Sequence, residues 1–139
     1  MADLIYANFK RGLGLGLFDL PADTLKCALL TSGYTPNASH AIWADVVAYE
    51  AAGLGYVAGG ATLGSVDWNL VGEAVALAAA DPVWTEVSIT ARYAVIYVAK
   101  KVEDLVNPLV CLLDFSAEKG VMGGTFRVAF DAAGIVAFN

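Results

Sequence analysis

The stretch from Thr90 to Ala99 constrains this chain more than any other. Tyr93, Val95 and Tyr97 fall on one face of an extended segment, and Ile96 and Val98 fall on the other. Successive side chains of a strand point to opposite faces of the sheet. A strand apolar on both faces is therefore predicted to be a central one. Leu109 to Phe115 reads in the same way, with Asp114 near its exit.

The rest of the chain follows this β signal. Leu25 to Thr31 is a compact apolar run ended by Ser32-Gly33 and Pro36-Asn37. Val66, Trp68 and Leu70 alternate with Asp67 and Asn69, the pattern of a half-buried strand. An Ala-rich strand through Val75, Leu77 and Ala79 is expected next, then Phe126, Val128 and Phe130 in alternation, and Gly134 to Phe138 at the end. Gly53, Gly55, Gly59 and Gly60 mark a loop or bulged edge. Two helices are predicted. One runs from about Asp3 to Arg11 and is followed by a flexible Gly12–Gly16 segment; the other is short, within His40 to Ala52, with Ser39 as its N-cap. Short strands at spacings of about 8–12 residues, separated by turn residues, predict a sandwich or a barrel. The expected fold is mainly β: a single-domain antiparallel β-sandwich, jelly-roll-like, over residues 21–139, with a short N-terminal helix or arm over residues 1–20.

With 139 residues, 58% of them apolar and only 16% charged, the chain has more apolar surface than a domain of its size can hide. Part of the excess is expected to be covered by a partner. A membrane is not the expected partner. The charge-free stretches Cys27–Ala44 and Ala51–Val66 are interrupted by polar residues and by glycines, respectively, and a spanning helix needs about 20 consecutive apolar residues. Asp3 before the first apolar residues and Lys10-Arg11 after them reverse the order of a secretory signal, which implies synthesis in a cytoplasm. The net charge of −6 and the scattered basic residues offer no stripe to neutralise phosphates, so nucleic acid is not an expected partner.

No catalytic, cofactor-binding or metal-binding residues are expected. Nucleophilic catalysis needs a base within reach of its nucleophile, yet the only histidine, His40, lies in a turn-rich region, and Cys27 and Cys111 occupy core-like strand positions as buried free thiols. No CxxC or paired-His spacing occurs, and no calcium loop. Glu103 and Asp104 are adjacent and so diverge on an extended segment. Gly12-Leu13-Gly14-Leu15-Gly16 fails the dinucleotide spacing, because Leu17 and Asp19 stand where a third glycine would fall. This segment reads instead as a hinge or an arm that orders on contact with a neighbour.

Blocks along the chain carry a resemblance. They run from Leu25 to Asn37 with His40, then Gly55–Leu63, Val83-Trp84, Ser88–Tyr97, Leu112–Phe115, Gly124-Thr125-Phe126 and Asp131–Ile135. In this order they resemble a family of small structural proteins of tailed-bacteriophage and prophage virions. The Ala-rich stretch Ala74–Ala80 and the Gly-Leu segment near the N-terminus depart from that pattern. The resemblance implies a virion component without enzymatic activity or cofactor. First choice is a capsid decoration or cement protein, a homo-oligomer bound to the major capsid protein and to copies of itself. A tail, neck or fibre-associated protein is the alternative. A carbohydrate- or host-surface-binding module, using Trp43, Trp68 and Trp84, ranks third, and an enzyme last. Leu4, Ile5, Phe9, Leu13, Leu15, Leu17 and Phe18 of the arm are the expected partner contacts.

Overall fold

A computed structural model describes residues 2–138; Met1 and Asn139, which bound the two expected units, lie outside the described residues. The elements in chain order are β1 (Leu4–Ile5), α1 (Ala7–Gly14), β2 (Leu25–Leu30), β3 (Ala61–Thr62), β4 (Asp67–Val71), β5 (Ala74–Ala78), β6 (Val83–Val98), β7 (Lys101–Val102), β8 (Leu105–Val106), β9 (Leu109–Arg127) and β10 (Val136–Phe138). The doubly apolar segment is the second half of β6, and it is central. The main sheet has the order β1-β9-β6-β2-β3, with antiparallel pairs throughout. A second antiparallel sheet has the order β10-β5-β4, and β7-β8 form a small hairpin at the β6–β9 turn. The chain is mainly β, a sandwich of antiparallel sheets with one short N-terminal helix among the described residues.

Each face of the central strands is buried in its own core. Ala94, Ile96 and Val98 of β6 join Leu25, Cys27 and Leu29 of β2 in a large core, which is closed by Leu77 and Val136 of the second sheet and by Phe9 of α1. Tyr93, Val95 and Tyr97 join Ala28 and Leu30 on the opposite face. Among the described residues no second sheet covers that face; Tyr6, Tyr34, Trp43 and Val46 cover it from the N-terminal segment and the loop after β2. The two-faced pattern read from the sequence thus corresponds to one sheet between two unlike layers.

Three local expectations are corrected. The helix lies at Ala7–Gly14 rather than Asp3–Arg11, because Leu4 and Ile5 pair with Leu112 and Cys111 instead of coiling. Gly12 does not dissolve it. The Phe18 ring packs where a side chain at Gly12 would stand, and Phe18 and Phe9 stack at a tilt with centroids 5.2 Å apart. Within His40–Ala52 there are two single 3₁₀ turns, Trp43–Asp45 and Val47–Tyr49. The Asp45 carboxylate caps the first by accepting from the Ala41 and Ile42 amides at 2.8 and 3.1 Å, so Ser39 is not the cap.

Candidate docking groove

The N-terminal segment is part of the sheet and the core, not a free arm. Phe9 is fully buried and Tyr6 with it. Leu4, Ile5, Leu13 and Phe18 are partly buried against the two cores, and Leu17 is half-buried. Of the seven expected contact residues only Leu15, 54% exposed, stands well out in solvent. The cause is long-range pairing: the Asp3 and Tyr6 amides donate to Leu112 and Val110 carbonyls at 2.9 and 3.1 Å.

Where β1 ends, a groove begins. The Asp3 carboxylate accepts from the Asp114 amide at 2.7 Å, and beyond that point no strand pairs with the outer edge of β9 among the described residues. Between Ala91 and Tyr93 of β6, the β9 partner jumps from Lys119 to Asp114. The intervening residues bulge, with Ser116 at φ 68°, and a bulge is one way a sheet edge is turned aside. The result is an open groove of about 610 Å³ between the β9 edge and residues 128–131. Phe115, Val121 and Phe130, each only partly covered, open it onto the side of the large core. Phe115 continues inward through Phe126 and Trp84 to Tyr56, with successive ring centroids 6.0, 6.2 and 5.8 Å apart.

Charged groups line the rim, and most have partners. Asp114 accepts from Arg92 at 3.2 Å and from the Ser116 amide at 2.8 Å. The Ser116 amide and then Arg92 hold its carboxyl below the usual carboxylate range. Arg92 thus forms an ion pair with Asp114. Asp81 accepts from the Phe130 amide at 2.9 Å and from Arg127 Nε at 3.0 Å, and the Phe130 amide is the larger cause of its lowered carboxyl pKa. This pair pins the wall formed by residues 128–131. Lys119 has no carboxylate within salt-bridge reach among the described residues.

The remaining candidate residues lie apart from the groove's lining. His40 Nδ1 lies 2.9 Å from the Tyr34 hydroxyl, itself 3.0 Å from that of Tyr6. Burial pushes the Cys27 thiol up to about 12 and raises that of Cys111 as well, so neither offers a thiolate near neutral pH. Among the described residues no three His, Cys, Asp or Glu side chains are grouped to hold a metal ion, and no helix is long and apolar enough to cross a membrane. Trp84 is 7% exposed in the core, Trp43 stacks on Tyr97 at 4.8 Å, and Trp68 packs on Phe138. The three tryptophans therefore form no exposed stacking platform.

Sequence reasoning missed the groove because it depends on where β1 stops along β9, a long-range register. The only local signal was the run Ser116–Gly120, five residues without a large apolar side chain inside a strand. Comparison with protein-family models, with curated proteins and with solved structures gave no match.

Proposed function

We propose that this chain is a non-catalytic structural protein of a tailed-bacteriophage virion, a decoration protein that binds the head shell and copies of itself through many modest contacts. The observation that carries the docking part is the aromatic-floored groove beside the unpaired edge of β9. A sheet edge with an apolar trough alongside is suited to an extended segment of another protein: the backbone supplies hydrogen bonds and the trough takes alternate side chains. Exposed apolar groups elsewhere, among them Leu54 at 81%, Val57 at 74% and Met122 at 94%, add surface of the kind that neighbours cover. The assignment to a virion rests on the resemblance of the blocks between Leu25 and Ile135, and contacts repeated over a lattice gain strength through avidity.

The test is recruitment. Purified protein is mixed with heads of the phage whose genome encodes it, and the heads are recovered by sedimentation. Saturable binding at many copies per head is expected, and Thr125→Arg, at an exposed position on the groove wall, should reduce it strongly. A few copies per particle would place the protein at the neck or tail instead. No binding to any virion part would overturn the reading.

A further inference from the structure

We infer that the outer edge of β4 pairs antiparallel with β4 of a second copy of this chain, closing a symmetric dimer centred on Asn69. The inference rests on the reading above, and gives its copy-to-copy contact a surface of its own, away from the groove. β4 is the outer strand of the smaller sheet, and among the described residues no strand pairs with its free edge. An unpaired edge carries a row of backbone N–H and C=O groups, and folds usually blunt it with a short strand, a lysine, a proline or a bulge. The other edges follow that rule. β1 and β3 have two residues each, β10 has three, and the outer side of β9 is bulged. β4 does not: Asp67–Val71 pairs with β5 in register along its whole length, and it holds no lysine or proline.

The side chains make the strand its own complement. Trp68 and Leu70 share the face of β4 turned to the large core, where the Trp68 ring packs on Phe138. Leu70 pairs in register with Val75 and is nevertheless 74% exposed, so the apolar face of β4 is left uncovered there. Two β4 strands overlap over their whole length in only one antiparallel register, the one that sets Asn69 opposite Asn69 of the copy. Leu70 then stands beside Trp68 of the copy, and Trp68 beside Leu70, on the same face. Aromatic–aliphatic cross-strand pairs of this kind stabilise sheets. Asp67, the one charged residue of the strand, falls opposite Val71. Sliding the copy by two residues toward the turn would put Asp67 opposite Glu73, and sliding by one would put Leu70 and Trp68 on opposite faces. The contact is isologous, so it closes at the dimer and joins the two smaller sheets into one.

Asn69 is exposed and is the one position that faces itself across this dimer. The experiment is sedimentation equilibrium of the full chain at low salt, comparing wild type, N69K, N69D and an equimolar mixture of the two variants, with thermal melts to check folding. Wild type should show a weight-average mass that rises with concentration and levels off at twice the monomer's. Each variant alone sets like charges opposite each other and should associate about tenfold more weakly. The mixture should recover, because opposite charges then meet at the centre. Asn69→Cys should also form a disulfide-linked dimer under mild oxidant. Val71→Cys should not, because its two copies lie about 14 Å apart along the strands. A wild-type monomer at every concentration up to about 1 mM, indifference to both charges, a mixture no better than its parts, or linkage as ready through Val71→Cys as through Asn69→Cys would overturn the inference. Wild-type binding to heads keeps the two readings apart: a monomer that binds heads overturns only the β4 contact, and a dimer that ignores virions overturns only the virion assignment.

Discussion

Gly60 lies against the backbone of Ala28: a Cβ at Gly60 would stand 2.7 Å from the Ala28 Cα and closer still to the Cys27 carbonyl. Its φ of +86° is also one that L side chains rarely adopt. The loop after the 3₁₀ turns can therefore approach β2 only because this residue has no side chain. Gly60→Ala is expected to cost roughly 2–4 kcal/mol, combining backbone strain and overpacking. Gly14→Ala, where nothing lies within 4 Å of the added methyl, should stay within about 1 kcal/mol of wild type. Urea denaturation of both variants measures the contrast.

Phe9 divides the N-terminal segment into what holds the fold and what is free. Its side chain is fully buried in the large core, so Phe9→Ala should destabilise by about 3–5 kcal/mol. Leu15→Ala, at a position 54% exposed, should fall within about 0.5 kcal/mol of wild type. Removing residues 2–18 should leave a chain without a cooperative thermal transition. A deletion that melts like wild type would mean the segment is a separable arm after all.

The fold was legible where side-chain alternation alone decides it. The second half of β6 has apolar residues on both faces and is central; Asp67–Val71 alternates and is an outer strand, but it is not half-buried as its alternation implies, since Leu70 is 74% exposed. Legibility failed where pairing outlasts alternation. β6 and β9 run for 16 and 19 residues, but Glu86 at φ 51°, Ser116 at 68° and Gly123 at 61° break the period while the ladder continues. Each strand therefore reads as shorter than it is. Leu4 and Ile5 fit a helical stripe and a strand equally well, and only the distant partners Leu112 and Cys111 decide between them. The groove shares that origin, since a gap in strand pairing has no local pattern.

Tyr56 ties the glycine loop to the central sheet through a two-sided hydrogen bond. Its hydroxyl accepts from the Leu29 amide at 3.0 Å and donates to Glu50 at 2.7 Å, while the same Glu50 oxygen takes the Gly59 amide at 2.7 Å. Tyr56→Phe leaves the Leu29 amide and one carboxylate lone pair without this partner, at a cost of about 1–3 kcal/mol. Glu50→Gln keeps the shape and an acceptor oxygen, so it should cost less. Hydrogen exchange at Leu29 in the Tyr56→Phe protein should quicken relative to its β2 neighbours.

Cys27 and Cys111 both pair with Ile96, one from each side. Two strand spacings separate them by about 9.5 Å, beyond the reach of a disulfide without backbone movement. With burial holding both thiols protonated, the folded protein should resist thiol reagents near pH 8 and form no internal disulfide under mild oxidant. Both thiols should react fully in denaturant. Labelling faster than unfolding would contradict the burial of both strands.

Acid should loosen the groove before it unfolds the core. The Asp81 and Asp114 carboxyls are held below their unfolded value of about 3.9. A group with a depressed folded pKa contributes stability that is complete above the unfolded value and disappears as pH falls through the folded one. Both groups therefore lose their contribution on acidification below about pH 4, and neither gains on raising pH. Asp81 holds the Phe130 amide and Arg127, so its protonation releases the wall formed by residues 128–131 first. Asp81→Asn should melt lower than wild type near pH 7, and the gap should close only as pH falls below the unfolded value of about 3.9 and through the lowered pKa of the folded Asp81 carboxyl, in melts at constant ionic strength. Parallel curves for the two proteins across that range would mean that Asp81 titrates alike in the folded and unfolded chain, and that the wall is held by something else.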